Sequence, residues 1–452
     1  MARKALPFAA AATLAFGTAH AAASGTEATS PDLDAMQQRL NQLETLVGNL
    51  RSELDAERAA RQRVESDTLI RPVSDGKSLK FASPNNDFSF QVGGRLEADA
   101  AAYEEDKQAL GDGTDLRRAR LYARGTLARD FDYMLEYEFA DNATTSTRSK
   151  GITDAYLRYK GFAPALLTVG NFKEPFGMEQ LTSDNTTLFL ERGLNDILTP
   201  GRGIGVEART SGSHWSAAAG VFGERPEGDV STHNEGDEGW DMAARATFAP
   251  VLTPDAVLHF GAGVRRHEPN DSTNALRFRT KPESNLTGVY LVDSGVLANT
   301  DNVLATGAEL AALWGPLTFQ SEYMRTALKG KDSAQDTDFS GWYAQTAWLL
   351  TGERRGYKVA EGVFDRVRPL ASVGLGGWGA WEIAARLSEL DLNDGAVIGG
   401  HERNLTLALN GYPTSNIRLM LNYIQVLELD RPGNTADGDE PSIWGMRLHV
   451  DF

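Results

Sequence analysis

Residues 113–130 read GTDLRRARLYARGTLARD. From Arg118 onward the polarity alternates. Ala119, Leu121, Ala123 and Leu127 point one way, and Arg118, Arg120, Tyr122, Arg124 and Thr126 the other. A period of two means a β-strand with two unlike faces. One face is apolar and the other carries three arginines. A soluble sandwich would turn the arginines to bulk water. A membrane barrel turns its apolar face to lipid and its polar face to a wet lumen. The strand therefore predicts a channel wall.

The whole chain is compatible with that reading. Its 452 residues suit one large barrel. Mean hydropathy is −0.35. No apolar run outside the N-terminus reaches the roughly 18 residues of a membrane helix. A barrel escapes such scans because half of each strand is polar. Cysteine is absent, which excludes disulfides, thiolate metal sites and cysteine nucleophiles. The 7 histidines are scattered, so no metal site or cofactor is expected. A net charge of −17 argues against nucleic acid as a partner.

At the N-terminus, Arg3 and Lys4 precede the apolar run Ala5–Phe16 and the small-x-small pattern Ala19-His20-Ala21. Residues 1–21 read as a secretory signal peptide. Helix is predicted over 32–67, with Ser30 as N-cap and Pro31 in the first turn. Leu33, Met36, Leu40, Leu43, Val47, Leu50 and Leu54 alternate spacings of three and four, a heptad seam that predicts a self-associating coiled coil. Residues 68–87 read as a polar linker.

From 88 to 452 the strands follow as hairpins, near 88–103, 113–130, 131–139, 152–159, 165–171, 203–210, 215–222, 239–248, 256–266, 301–314, 317–327, 339–350, 377–390, 401–411, 416–427 and 441–452. The expected fold is all-β, a 16-stranded antiparallel transmembrane β-barrel with an N-terminal α-helical coiled coil. Short turns alternate with long polar loops, the asymmetry of outer-membrane barrels. The segment 351–376 breaks that asymmetry by being long on the short-turn side. The chain ends WGMRLHVDF, with Trp444, Met446, Leu448, Val450 and Phe452 on one face. The stretch 172–202 is too long for a hairpin loop and is expected to fold inward. It carries Lys173, Glu174, Glu179, Asp184, Glu191, Arg192, Asp196 and Arg202.

Two other patterns carry less. Gly374–Gly379 matches GxGxxG, but an alternating strand follows where a dinucleotide site needs a helix, so it reads as a bend. Glu136 and Glu138, two apart on a wet face, read as cross-strand partners of arginines rather than a catalytic pair. No enzyme constellation is found.

The ordered segments GTDLRRARLYARG, YMLEYEFADN, DAYLRYKGF, VGNFKEPFGMEQLTS, FLERGL, PGRGIGV, GVFGE and GGWGAWEIAARLSELDL resemble the phosphate-selective porins O and P. The resemblance runs from about residue 93 to 452. It implies a homotrimeric sixteen-stranded barrel with a periplasmic N-terminal extension and a ladder of basic residues around a central anion site. By motif position, Arg117 and Arg118 match the family's arginine pair, Asp154 its aspartate and Lys173 its lysine. Strict alternation sends Arg117 and Arg118 to opposite faces, so Arg117 needs a bulge or a strand that starts after it.

The expected anion-binding and pore-lining residues are Arg117, Arg118, Arg120, Arg124, Asp154, Arg158 and Lys173, with Arg192 and Arg202 in the constriction loop. Arginine offers planar bidentate donors to a phosphate, and lysine a point charge. Release also matters, and a nearby carboxylate would weaken the hold. The expected solute is phosphate or polyphosphate. The alternatives are sugars or organic acids, or a surface-structural role through the coiled coil. Expected surroundings are outer-membrane lipid and lipopolysaccharide. Glu224, Glu227, Asp229, Glu235, Asp237, Glu238 and Asp241 crowd one outer loop, and Glu428, Asp430, Asp437, Asp439 and Glu440 another. Such acidic mouths slow anion entry at low salt and suit divalent cations or lipopolysaccharide instead.

Overall fold

The alternation that starts at Arg118 is built as a barrel wall. The computed structural model describes residues 30–68, 71–74, 79–140, 151–223, 238–270 and 275–452. The expected signal peptide lies outside these residues, as do Glu224, Glu227, Asp229, Glu235 and Asp237 of the first acidic loop.

Two units are present, split at Thr68. The first is one helix, α1, Ser30–Thr68. Its seam side chains Met36, Leu40, Leu43, Val47, Leu50 and Leu54 are all exposed. Those of Leu33 and Val64 lie outside the described residues.

The second unit is a barrel. Its strands are β1 Ser89–Glu104, β2 Gly113–Leu127, β3 Phe131–Glu138, β4 Gly151–Tyr159, β5 Ala165–Lys173, β6 Arg202–Ser211, β7 Trp215–Gly223 and β8 Trp240–Leu252. They continue with β9 Ala256–Glu268, β10 Thr300–Trp314, β11 Leu317–Gly330, β12 Thr337–Leu349, β13 Ala380–Asp394, β14 Val397–Thr414, β15 Ile417–Asp430 and β16 Ser442–Asp451. Each pairs antiparallel with its neighbours in the chain, and β16 pairs with β1 from Ser442 opposite Glu104 to Asp451 opposite Arg95. Closure satisfies the ladder without an edge, the condition for a sheet in lipid. Leu121, Leu127, Leu135, Leu157, Leu304, Trp444, Met446 and Leu448 face outward and are exposed.

The terminal Phe452 completes the seam. Its N–H donates to the Gly94 carbonyl and its own carbonyl accepts from Gly94 N–H, each at 3.0 Å. A Cβ on Gly94 would stand 2.6 Å from the Arg120 carbonyl oxygen and 2.8 Å from the Phe452 ring, so glycine is required there. The turn after β2 is tight, with Ala128 and Arg129 at φ 46° and 65°. Paired positive φ values match the twist of a two-strand hairpin.

Four expectations need revision. Part of the 68–87 stretch, expected as linker, is a hairpin: Arg71–Ser74 pairs with Leu79–Ala82, which pairs with the start of β1. The loop expected between the thirteenth and fourteenth strands shrinks to Gly395-Ala396, because the ladder runs on through a bulge to Asp394 opposite Val397. The segment after β12 is neither strand nor plain turn. It doubles back inside the wall, pairing Tyr357–Lys358 with Val363–Phe364. Finally, inward positions are not all polar. Val303, Ala305, Met324, Leu328, Phe339, Leu390 and Leu392 are buried against Phe176, Leu194, Leu198, Leu291 and Val292 from two inserted loops.

Candidate functional site

The stretch between β5 and β6, residues 174–201, lies almost entirely buried inside the barrel. Its apolar side chains anchor one flank. Phe176, Leu194 and Leu198 join the cluster just described, while Met178 packs with Val257, Ala311, Leu313, Val363 and Phe364. Its turn at Met178 is fixed by Glu322, whose carboxylate accepts the N–H groups of Met178 at 2.7 Å and Glu179 at 2.6 Å.

Donors from the wall, joined by Arg355 of the segment after β12, grip the loop backbone. Arg355 reaches the Thr186 carbonyl at 2.9 Å, Arg418 that of Thr187 at 2.5 Å, Asn410 that of Leu188 at 2.9 Å, Arg447 that of Leu190 at 2.6 Å and Arg386 that of Glu191 at 3.1 Å. A non-helical segment leaves its carbonyls without backbone partners, and a buried carbonyl must find a donor. Three of these arginines are themselves balanced: Arg355 by Glu382 at 2.7 Å, Arg386 by Glu283 at 2.5 Å and Arg447 by Asp99 at 2.7 Å. Arg386 also stacks on Phe189, 4.4 Å from the ring centre.

The opposite flank of the loop faces β1 and β2. The ladder between those strands pairs Glu97 with Arg118 but Ala98 with Leu116, so Arg117 is the extra residue of a bulge. Arg117 and Arg118 consequently turn to the same, inner side. Arg117 makes a two-pronged contact with Glu191 at 2.8 and 2.9 Å. Arg118 contacts Glu97 at 2.7 Å, and Arg120 contacts Glu138 at 2.6 Å and Glu136 at 3.1 Å. The cross-strand role expected for Glu136 and Glu138 is what the geometry contains.

Four guanidinium groups converge on one loop carboxylate, Asp184: Arg192 at 2.5 Å, Arg118 at 3.4 Å, Arg95 at 3.5 Å and Arg120 at 3.8 Å. Burial opposes ionisation of Asp184, but the charges of Arg118, Arg192, Arg95 and Lys173 outweigh it and hold the carboxyl well below its usual range.

Adjoining this cluster lies a cavity of about 560 Å³, lined by residues of β1–β6 and β16, the inward loop and the segment after β12. Arg124, Asp154, Arg158, Lys173 and Arg202 all border it. Asp154 and Arg202 form a two-pronged pair at 3.1 and 3.0 Å. Lys173 donates to the Thr182 carbonyl at 3.2 Å and to that of Gln180. Arg124 donates to Gln91 at 3.0 Å and Arg158 to Thr168 at 3.1 Å, each lying 5.2 Å from a tyrosine ring centre, Tyr122 and Tyr156.

The expected residues therefore split three ways. Arg118, Arg120 and Arg192 meet at Asp184; Arg124, Asp154, Arg158, Lys173 and Arg202 border the cavity; Arg117 is diverted to Glu191. Sequence reading missed Arg95 and Arg447, although both sit at inward parity, in VGGRLEADA and WGMRLHVDF. Arg386 and Arg418 sit at inward parity as well, whereas Arg355, on the segment after β12, had no such local sign.

A family model described as phosphate-selective porin O and P matches residues 90–452. An uncharacterised protein of Caulobacter vibrioides is 31% identical over 390 residues, covering 83% of this chain and 76% of that protein. Porin O of Pseudomonas aeruginosa is 27% identical over 410 residues, covering 83% of this chain and 91% of that protein. Among solved structures, a loop-deletion mutant of OmpT, an outer membrane protein of Vibrio cholerae, superposes with a TM-score of 0.50 at 12% identity, over 81% of this chain and 100% of that one.

Proposed function

The chain belongs to the phosphate-selective porin O and P family and is an outer-membrane porin; from that premise we propose that it is an anion-preferring diffusion channel for phosphate or polyphosphate. The observation that carries this reading is a set of three cations. Arg124, Arg158 and Lys173 border the lumenal cavity with only neutral hydrogen-bond partners and no carboxylate in ion-pair contact, among the described residues. A guanidinium held by neutral groups keeps its charge available to a passing anion. Phosphate leaves water reluctantly, so such donors must replace its hydration. Asp154 answers Arg202 nearby and keeps the wall from binding too tightly.

The same reading places α1 in the periplasm, where its exposed seam joins three chains in a parallel coiled coil. Most of the short turns and both ends of the barrel chain share one rim, which favours that side. Lipid and lipopolysaccharide surround the barrel in this reading.

The test is reversal potential in a potassium chloride gradient, followed by phosphate block of chloride current, on purified channels in planar bilayers. Anion preference and block by phosphate are expected. Cation preference, or indifference to phosphate, would favour the reading as a porin for sugars or organic acids.

A further inference from the structure

The carboxylate of Asp184 stands where four arginines point. We propose that it is the channel's own resident anion: a tethered carboxylate that fills the focus of the arginine cluster and sets how tightly a tetrahedral oxyanion is held there. This rests on the anion-channel reading above and names a residue that tunes it.

The geometry separates Asp184 from the other acids. Glu97, Glu136 and Glu138 sit on the wall beside the arginines they pair with, at 2.6 to 3.1 Å. Asp184 comes from the loop and approaches the same arginines from the lumen. Its Oδ1 is taken by Arg192 at 2.5 Å. Its Oδ2 is shared by Arg118, Arg95 and Arg120 at 3.4, 3.5 and 3.8 Å, which is attraction without good hydrogen bonds. Arg118 Nε is buried and has no hydrogen-bond partner. As placed, the two oxygens leave three of the four guanidiniums beyond good hydrogen-bond distance. A tetrahedral oxyanion offers more acceptor oxygens in more directions and would suit the cluster better.

The loop does not need the Asp184 side chain to keep its path. Arg418 holds the carbonyls of Asp184 at 3.3 Å and Thr187 at 2.5 Å, and Arg355 that of Thr186 at 2.9 Å. Without the carboxylate, Arg192 retains only Asp196 at 3.8 Å as an ion partner. Arg95 retains Glu136 at 3.8 Å and the side-chain amide of Asn185 at 2.8 Å. Asp184 is also among the residues that border the cavity, so the charge released by its removal meets the solute path. A tethered competitor of this kind lowers the apparent affinity for a diffusing anion and speeds its release.

The experiment compares the wild type with Asp184→Asn and Asp184→Glu. Bilayer recordings give the phosphate concentration that halves chloride current, and heat-modifiable migration in detergent shows that the barrel has formed. Asp184→Asn should lower the half-block concentration by roughly tenfold or more, the factor that about one lost charge contact confers. Asp184→Glu, which keeps the charge, should stay near wild type and reports whether loop shape alone is responsible. A folded Asp184→Asn channel blocked no more tightly than wild type overturns the proposal, as does a glutamate variant that behaves like asparagine. The two readings fail separately. A wild type that prefers cations removes the anion channel and this role with it. An anion-preferring wild type with an unresponsive Asp184→Asn variant removes only this role.

Discussion

The two flanks of the inward loop meet the barrel wall with opposite chemistry. Toward β9–β13 the loop presents Phe176, Met178, Leu194 and Leu198, and the wall answers with Val303, Ala311, Met324, Phe339 and Leu390. Toward β1–β6 it presents Asp184, Glu191 and Arg192, and the wall answers with Arg95, Arg117, Arg118 and Arg120. The dry flank holds by area removed from water, which is non-directional and leaves no room for solvent. The charged flank holds by ion pairs that need water or a partner to remain affordable in free energy. A loop built with one seam of each kind is fixed by the first and leaves the second to face a solute. The lumen is thereby narrowed to the arginine-bearing side.

Arginine itself takes two parts in this scheme. Arg355, Arg386 and Arg447 bind loop carbonyls and are each matched by a carboxylate. Arg124 and Arg158 border the cavity with neutral partners. The same side chain serves as a clamp where it is buried and matched, and in the proposed channel as a donor to the anion where it is neither.

Substitutions can break this division. The largest effect should come from the dry flank. Phe176→Asp buries a carboxylate in an apolar cluster, a cost of several kcal/mol that the loop escapes by leaving the wall. Single-channel conductance should rise several-fold and selectivity fall, with Phe176→Ala, worth about 3–5 kcal/mol of packing, in the same direction. Unchanged conductance would mean that the apolar seam does not set the pore. Next comes Lys173 on the charged flank. Lys173→Glu reverses a charge where Lys173→Gln only removes one, so reversal potentials should order wild type, glutamine, glutamate toward cations. Loss of that order would take Lys173 out of the solute path.

A smaller effect is expected at Arg124 and Arg158. Each charge-assisted hydrogen bond to an anion is worth roughly 1.5–3 kcal/mol. Arg124→Ala or Arg158→Ala should therefore weaken phosphate block by about tenfold while leaving conductance near wild type. A conductance jump like that of Phe176→Asp would show that these arginines hold structure after all. The smallest effect should follow removal of residues 32–67. Barrel closure runs from β16 to β1 without that helix, so insertion and selectivity should persist while oligomers weaken in detergent. Failure to insert would contradict the independence of the two units.

The sequence by itself determined the strands and their two faces. Alternation from Arg118, the outward row Trp444, Met446, Leu448 and the count of sixteen strands are local patterns, and a closed sheet in lipid obeys them directly. It also required either a bulge at Arg117 or a strand start after it, and the Glu97–Arg118 and Ala98–Leu116 pairs show the bulge. What only the tertiary structure decided is which inward faces stay wet. Val303 and Arg118 occupy equivalent inward positions, yet one joins the apolar cluster that holds Phe176 and the other meets Asp184. Those meetings join residues far apart in the chain, such as Arg418 with Thr187 across 231 residues and Arg447 with Leu190 across 257. A periodic pattern records what a residue's own strand needs, and the loop that will cover it leaves no mark there.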